Sequence, residues 1–189
     1  MSQLRSTVPD PLAARENHRL LDGTWRFHLH GEDALRPTRI LAQEELQQAI
    51  TVPFCYQSSL SGLGHDGYYP AVWYSRSFEI IGDEVAGRVR LHFGAVDYHA
   101  VVFVNGTWVG EHTGGHSSFQ FDITRFVRRG RNELKVKAVD LLDPGQPRGK
   151  QSWQAPYSCW YRACTGIWQS VWLEFTPQQA IDTLHVDAD

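Results

Sequence analysis

From Val72 onward the chain consists almost entirely of short segments in which apolar and polar residues alternate, and this limits the possible folds more than any other feature. Successive strand side chains point to opposite faces, so period-two alternation reads as a strand with one face on a core. Residues 88–93 alternate strictly, and residues 99–105 are apolar and rich in β-branched side chains. Residues 132–140 place Leu134, Val136 and Ala138 on one face and Lys135 and Lys137 on the other. Between 99–105 and the return strand 108–112 stands Asn105-Gly106, which tolerates the positive φ values of a type I′ hairpin turn. Further strands are expected at 24–29, 72–81, 118–123, 167–175 and 181–186, with no proline inside the runs.

The stretch from Gly166 to Phe175 reads as a glycine turn feeding a strand. Val171, Leu173 and Phe175 share one face, and Trp172 and Glu174 share the other. If the Trp172 ring were core, truncating it to alanine would cost about 3–5 kcal/mol. Good helix formers at 42–50 predict one short helix. Two long loops, 53–71 and 142–165, interrupt the strands. Many short strands, frequent turns and two crossing loops predict an all-β fold, an antiparallel jelly-roll β-sandwich.

A length of 189 residues suffices for one domain with a large core. The 18 basic residues against 21 acidic ones, a net charge of −3, give no electrostatic footprint for nucleic acid or an anionic membrane. No apolar run is long enough for a transmembrane helix. Residues 1–15 lack the apolar stretch of a signal peptide, so the chain as given reads as cytoplasmic, with a periplasmic parent left open. Cys55, Cys159 and Cys164 have no zinc spacing and read as buried free thiols, a Cys159–Cys164 bridge being the less favoured reading. The nine histidines show no ligand spacing, and nothing specifies calcium at Asp122, Asp140 or Asp143, so neither a metal nor a cofactor is expected.

Several stretches in order resemble the first domain of glycoside hydrolase family 2, the beta-galactosidase and beta-glucuronidase family. They are Leu21-Asp22-Gly23-Thr24-Trp25-Arg26-Phe27, Val52-Pro53-Phe54-Cys55-Tyr56-Gln57, Val72-Trp73-Tyr74-Ser75-Arg76, Leu91-His92-Phe93-Gly94-Ala95-Val96-Asp97-Tyr98, Val104-Asn105-Gly106, Phe121-Asp122-Ile123-Thr124, Pro147-Arg148-Gly149-Lys150-Gln151 and Gly166-Ile167-Trp168. The resemblance covers roughly 20–176 and implies a sugar-binding jelly roll beside a separate catalytic barrel. That barrel alone needs about 250 residues, and a retaining glycosidase needs two carboxylates about 5 Å apart. No catalytic residue is therefore expected in this chain, and none of its own residues is expected to hydrolyse a glycoside. The division expected is an arm at 1–17, a jelly roll at 18–177, and at 178–189 either the start of an immunoglobulin-like domain or a last strand of the same sandwich.

The resemblance also implies that two loops reach the edge of a sugar pocket. In the first, His65, Asp66, Tyr68 and Tyr69 are of the types that stack on sugars and bind hydroxyls, although an ordinary solvated loop has the same composition. In the second, some relatives carry an aspartate six residues before the closing glycine, where this chain has Trp160. Trp153, Trp160 and Tyr161 read as an aromatic wall or as packing against the barrel, and Arg148 and Lys150 as partners for a substrate carboxylate or as surface ion pairs. The expected partners are a beta-glycoside and, through docking within the parent, the catalytic barrel, with a homo-oligomeric parent left open. A stand-alone carbohydrate-binding module and a purely structural domain are the competing readings.

Overall fold

The computed structural model describes residues 17–30, 40–152, 157–181 and 187. Trp153, all but residue 17 of the expected arm at 1–17, and all but residue 181 of the expected strand at 181–186 lie outside them. Fourteen strands are described: β1 (His18–Leu20), β2 (Gly23–His30), β3 (Gln48–Val52), β4 (Ala71–Ile80), β5 (Arg88–Phe93), β6 (Val96–Asp97), β7 (His99–Val104), β8 (Thr107–Thr113), β9 (Phe119–Asp122), β10 (Gly130–Val139), β11 (Gln151–Ser152), β12 (Tyr161–Arg162), β13 (Gly166–Ile167) and β14 (Val171–Thr176). Six form one antiparallel sheet in the order β3-β2-β4-β10-β7-β8, and four form the second in the order β1-β14-β5-β9. From β4 onward the chain repeatedly passes from one sheet to the other, as a jelly roll requires.

The alternation in the sequence maps directly onto the two faces. Trp25 and Phe27 of β2, Val72 and Tyr74 of β4, and Leu134, Val136 and Ala138 of β10 enter one core with Val89, Leu91 and Phe93 of β5 and Val171 and Leu173 of β14. Asn105 at φ 51 and Gly106 at φ 78 make the turn between β7 and β8. The Asn105 side chain adds a tie, donating to Phe126 O at 2.8 Å and accepting from Glu133 N at 3.0 Å.

Two expectations change, and one conditional reading is decided. The helix at 42–50 is a single 3-10 turn, Gln43–Glu45, followed by β3. Ile50 and Val52 alternate inward and pair with Trp25 and Gly23 of β2, and burial of those side chains outweighs the helical preference of their neighbours. The last long strand is split, because β13 pairs with β6 while β14 pairs with β5. Trp172 is half-buried on the outer face, stacked on His92 at 4.8 Å, so the condition for a core-sized cost is not met.

Lys135 and Lys137 do point away from the main core, yet they are buried. Leu41, Leu46 and Trp73 form a second small cluster over the outer face of the large sheet. Under it, the Lys135 ammonium donates to Leu41 O at 2.7 Å and pairs with Glu133 at 3.3 Å.

Candidate functional site

The two long loops meet at one end of the sandwich, over β6 and β13. A buried polar network joins them. The Asp140 carboxylate accepts from Thr165 Oγ1 and from Gln146 Nε2, both at 2.6 Å. Gln57, in the first loop, donates to Thr165 Oγ1 at 3.1 Å and accepts from Thr165 N at 3.3 Å. Tyr68 donates to Asp140 O at 3.1 Å. Gln151 donates to Asp97 Oδ2 at 3.0 Å and accepts from Cys164 N at 2.7 Å. Each of these buried groups thereby has the partner that desolvation demands.

Close backbone approaches fix the same end. A Cβ on Gly166, at φ 90, would sit 2.2 Å from Tyr74 Oη, and one on Gly115 would sit 2.4 Å from Asp97 Oδ1. Glycine is required at both places. Tyr74 Oη accepts from Ile167 N at 3.2 Å, and Tyr56 donates to Gly67 O at 2.9 Å while accepting from Tyr69 N at 3.2 Å. Burial holds both phenols well above the ordinary tyrosine range, so they stay protonated.

Burial also pushes the Asp97 carboxyl up to about 6, against the lowering effect of the Gln151 amide. The folded protein thus keeps a proton that the unfolded chain releases near pH 4. The stability this contributes is full below that pH and is lost as pH rises through about 6. Asp97→Asn, which does not titrate, should remove a decline of about 2–3 kcal/mol across that window. Urea unfolding of both proteins between pH 4 and 6 checks this, and parallel curves would refute it.

The structure brings most of the expected contact residues together here. The His65 ring meets Tyr69 edge-on at 5.2 Å, and Asp66 forms an ion pair with Arg162. Arg162 lies in β12, whose parallel pairing with β11 sets Tyr161 beside Gln151. Tyr161 N donates to Lys150 O at 2.8 Å, which places Lys150 in the same cluster. Trp160 is 41% exposed and Tyr161 61% exposed, and Trp160 stacks with Tyr157, itself 55% exposed, at 6.4 Å. The Arg148 guanidinium donates to Leu141 O at 3.2 Å, next to Asp140 of the loop network. Asp140, raised in the sequence as a calcium candidate, is instead the centre of the loop network.

Residues 18–177 match the family model described as "Glycosyl hydrolases family 2, sugar binding domain". The chain belongs to this family. It is 33% identical over 126 residues to a beta-glucuronidase of Paenibacillus borealis, a match covering 65% of this chain and 21% of the relative. It is 28% identical over 160 residues to a beta-galactosidase of Bacteroides ovatus, covering 80% of this chain and 17% of the relative. The solved Bifidobacterium dentium beta-glucuronidase complexed with coumarin-3-O-glucuronide superposes with a TM-score of 0.63 at 25% identity, over 87% of this chain and 31% of that one. The family 2 domain described here therefore spans about a fifth or less of the length of these two sequence relatives.

Reading the family 2 domain from its residues alone missed Gln57, Asp97, Gln151 and Thr165 as the frame beneath the exposed aromatics. Gln57, Asp97 and Gln151 stand inside the stretches that carry the resemblance, but only their buried hydrogen bonds show that they fasten the loops.

Proposed function

We propose that the loop end of this family 2 domain contacts the sugar of a beta-glycoside, and that the domain serves a retaining glycosidase whose catalytic barrel lies outside these residues. The observation that carries this reading is the exposed set Tyr157, Trp160 and Tyr161 on a frame of buried hydrogen bonds. Aromatic faces exposed on a rigid frame suit the apolar faces of pyranose rings. Lys150, whose backbone carbonyl accepts from Tyr161 N, supplies a cation for a uronic acid carboxylate, a feature that favours a glucuronide over a neutral galactoside. His65, Asp66 and Tyr69 complete the rim as hydrogen-bonding groups, whereas Arg148 serves this reading only after leaving Leu141.

The exposed aromatic pair also favours a second reading, a carbohydrate-binding module that works without a hydrolase. A titration monitored through the tryptophan indole NMR signals separates sugar contact from a purely structural role. Methyl beta-glucuronide and methyl beta-galactoside should both perturb the Trp160 signal, the glucuronide at lower concentration. Tyr161→Ala should raise the sugar concentration needed for that response with the thermal midpoint unchanged. Perturbation confined to other tryptophans, or none up to the solubility of the sugars, would overturn sugar contact by this chain at the loop end.

A further inference from the structure

Cys55 and Cys164 are far apart in sequence yet line one cavity of about 430 Å³, together with Ser58, Asp66 and Arg162. Both are free and half-buried, and each lies one or two residues from a partner of the Gln57–Thr165 tie. The surrounding segments are fastened independently of the sulfurs. Gln57, two residues after Cys55, is doubly hydrogen-bonded to Thr165, the residue after Cys164. Gln151 holds the backbone N–H of Cys164 at 2.7 Å, and Ser58 N donates to Cys55 O at 2.9 Å. Cys159 is exposed and free, and Cys164 is also free, so the Cys159–Cys164 bridge considered from the sequence is absent.

We propose that Cys55 and Cys164 form a dithiol site that takes up a small-molecule disulfide and closes into an intramolecular bridge between the two loops of the sugar-contact end. Chemically the two thiols differ in role. The Cys164 thiol and the backbone N–H groups of Ser58 and Gln57 lower the Cys55 thiol from its ordinary value against the effect of burial, while Cys164 lies well above it. Cys55 thiolate attacks one sulfur of an oxidised low-molecular-weight disulfide such as glutathione disulfide, and the first glutathione thiolate leaves and takes a proton. Cys164 then loses its proton and attacks the Cys55 sulfur of the mixed disulfide, expelling the second glutathione. The cysteines lose two electrons and the small disulfide gains them, leaving two thiols. With both thiols on the wall of one cavity, closure requires an S–S bond of about 2.05 Å.

The test is incubation of the intact protein with glutathione disulfide, alkylation of remaining thiols under denaturing conditions, and peptide mapping by mass spectrometry. The expected result is a peptide linking Cys55 to Cys164, formed equally by Cys159→Ser. Cys164→Ser should stop at a glutathione adduct on Cys55. The proposal is overturned if the unaltered protein stops at that adduct, if Cys159 enters the bridge, or if Cys55 and Cys164 are both recovered alkylated. The readout is independent of sugar binding.

Discussion

Trp25→Ala should lower the free energy of unfolding by about 3–5 kcal/mol. The ring is 1% exposed and meets Tyr74 edge-on at 6.3 Å, and its indole N–H donates to Leu21 O at 2.7 Å. Tyr74 in turn packs on Phe27 at 5.0 Å and holds β13 through Ile167 N. Truncation would leave a void between β2 and β4 and an unpaired carbonyl at Leu21, beside a strand fixed on both sides by β3 and β4. Against a total stability of about 5–15 kcal/mol, such a loss is a large fraction of the whole. Urea unfolding should show a much lower midpoint with an unchanged slope. A loss below about 1 kcal/mol would show that the two sheets do not close around this ring.

The sheets were legible because their signals are local. Trp25 and Phe27, Leu134 and Val136, and Val171 and Leu173 alternate inward as their spacing implies. Asn105-Gly106 makes the turn that its conformational freedom favours. The failures came where distant chain decides local structure. Residues 48–52 become a strand because β2 offers them an edge, and Lys135 is buried because residues 40–46 fold over it. Trp172 illustrates the same limit, since an aromatic on an alternating strand reveals its face but not what lies on that face. The candidate site was half legible. Its exposed aromatics could be named from loop composition, but the ties of Gln57 to Thr165 and of Gln151 to Asp97 span 108 and 54 residues and leave no pattern in the sequence. The pairing of Cys55 with Cys164 was hidden for the same reason.

Hydrolysis is the second large effect. Asp97 and Asp140 are the two buried carboxyls under the loop end, 2% and 1% exposed. Gln151 engages the first, and Gln146 and Thr165 engage the second, so no glycosidic bond can pass between them. Asp66 is solvated and paired with Arg162. A retaining mechanism needs two carboxyls flanking an accessible bond, and the described residues offer no such pair. Enzymatic rates exceed the uncatalysed reaction by at least about 10⁶-fold, so on the proposed function the contrast between a polypeptide with a catalytic barrel and one without is all or none. The decisive measurement is release of nitrophenol from nitrophenyl beta-glucuronide and beta-galactoside by this chain and by the polypeptide extended through the following reading frame. The account predicts turnover by the longer polypeptide and none by this chain. Turnover by this chain alone would contradict it, and turnover by neither would remove the glycosidase and leave a binding module.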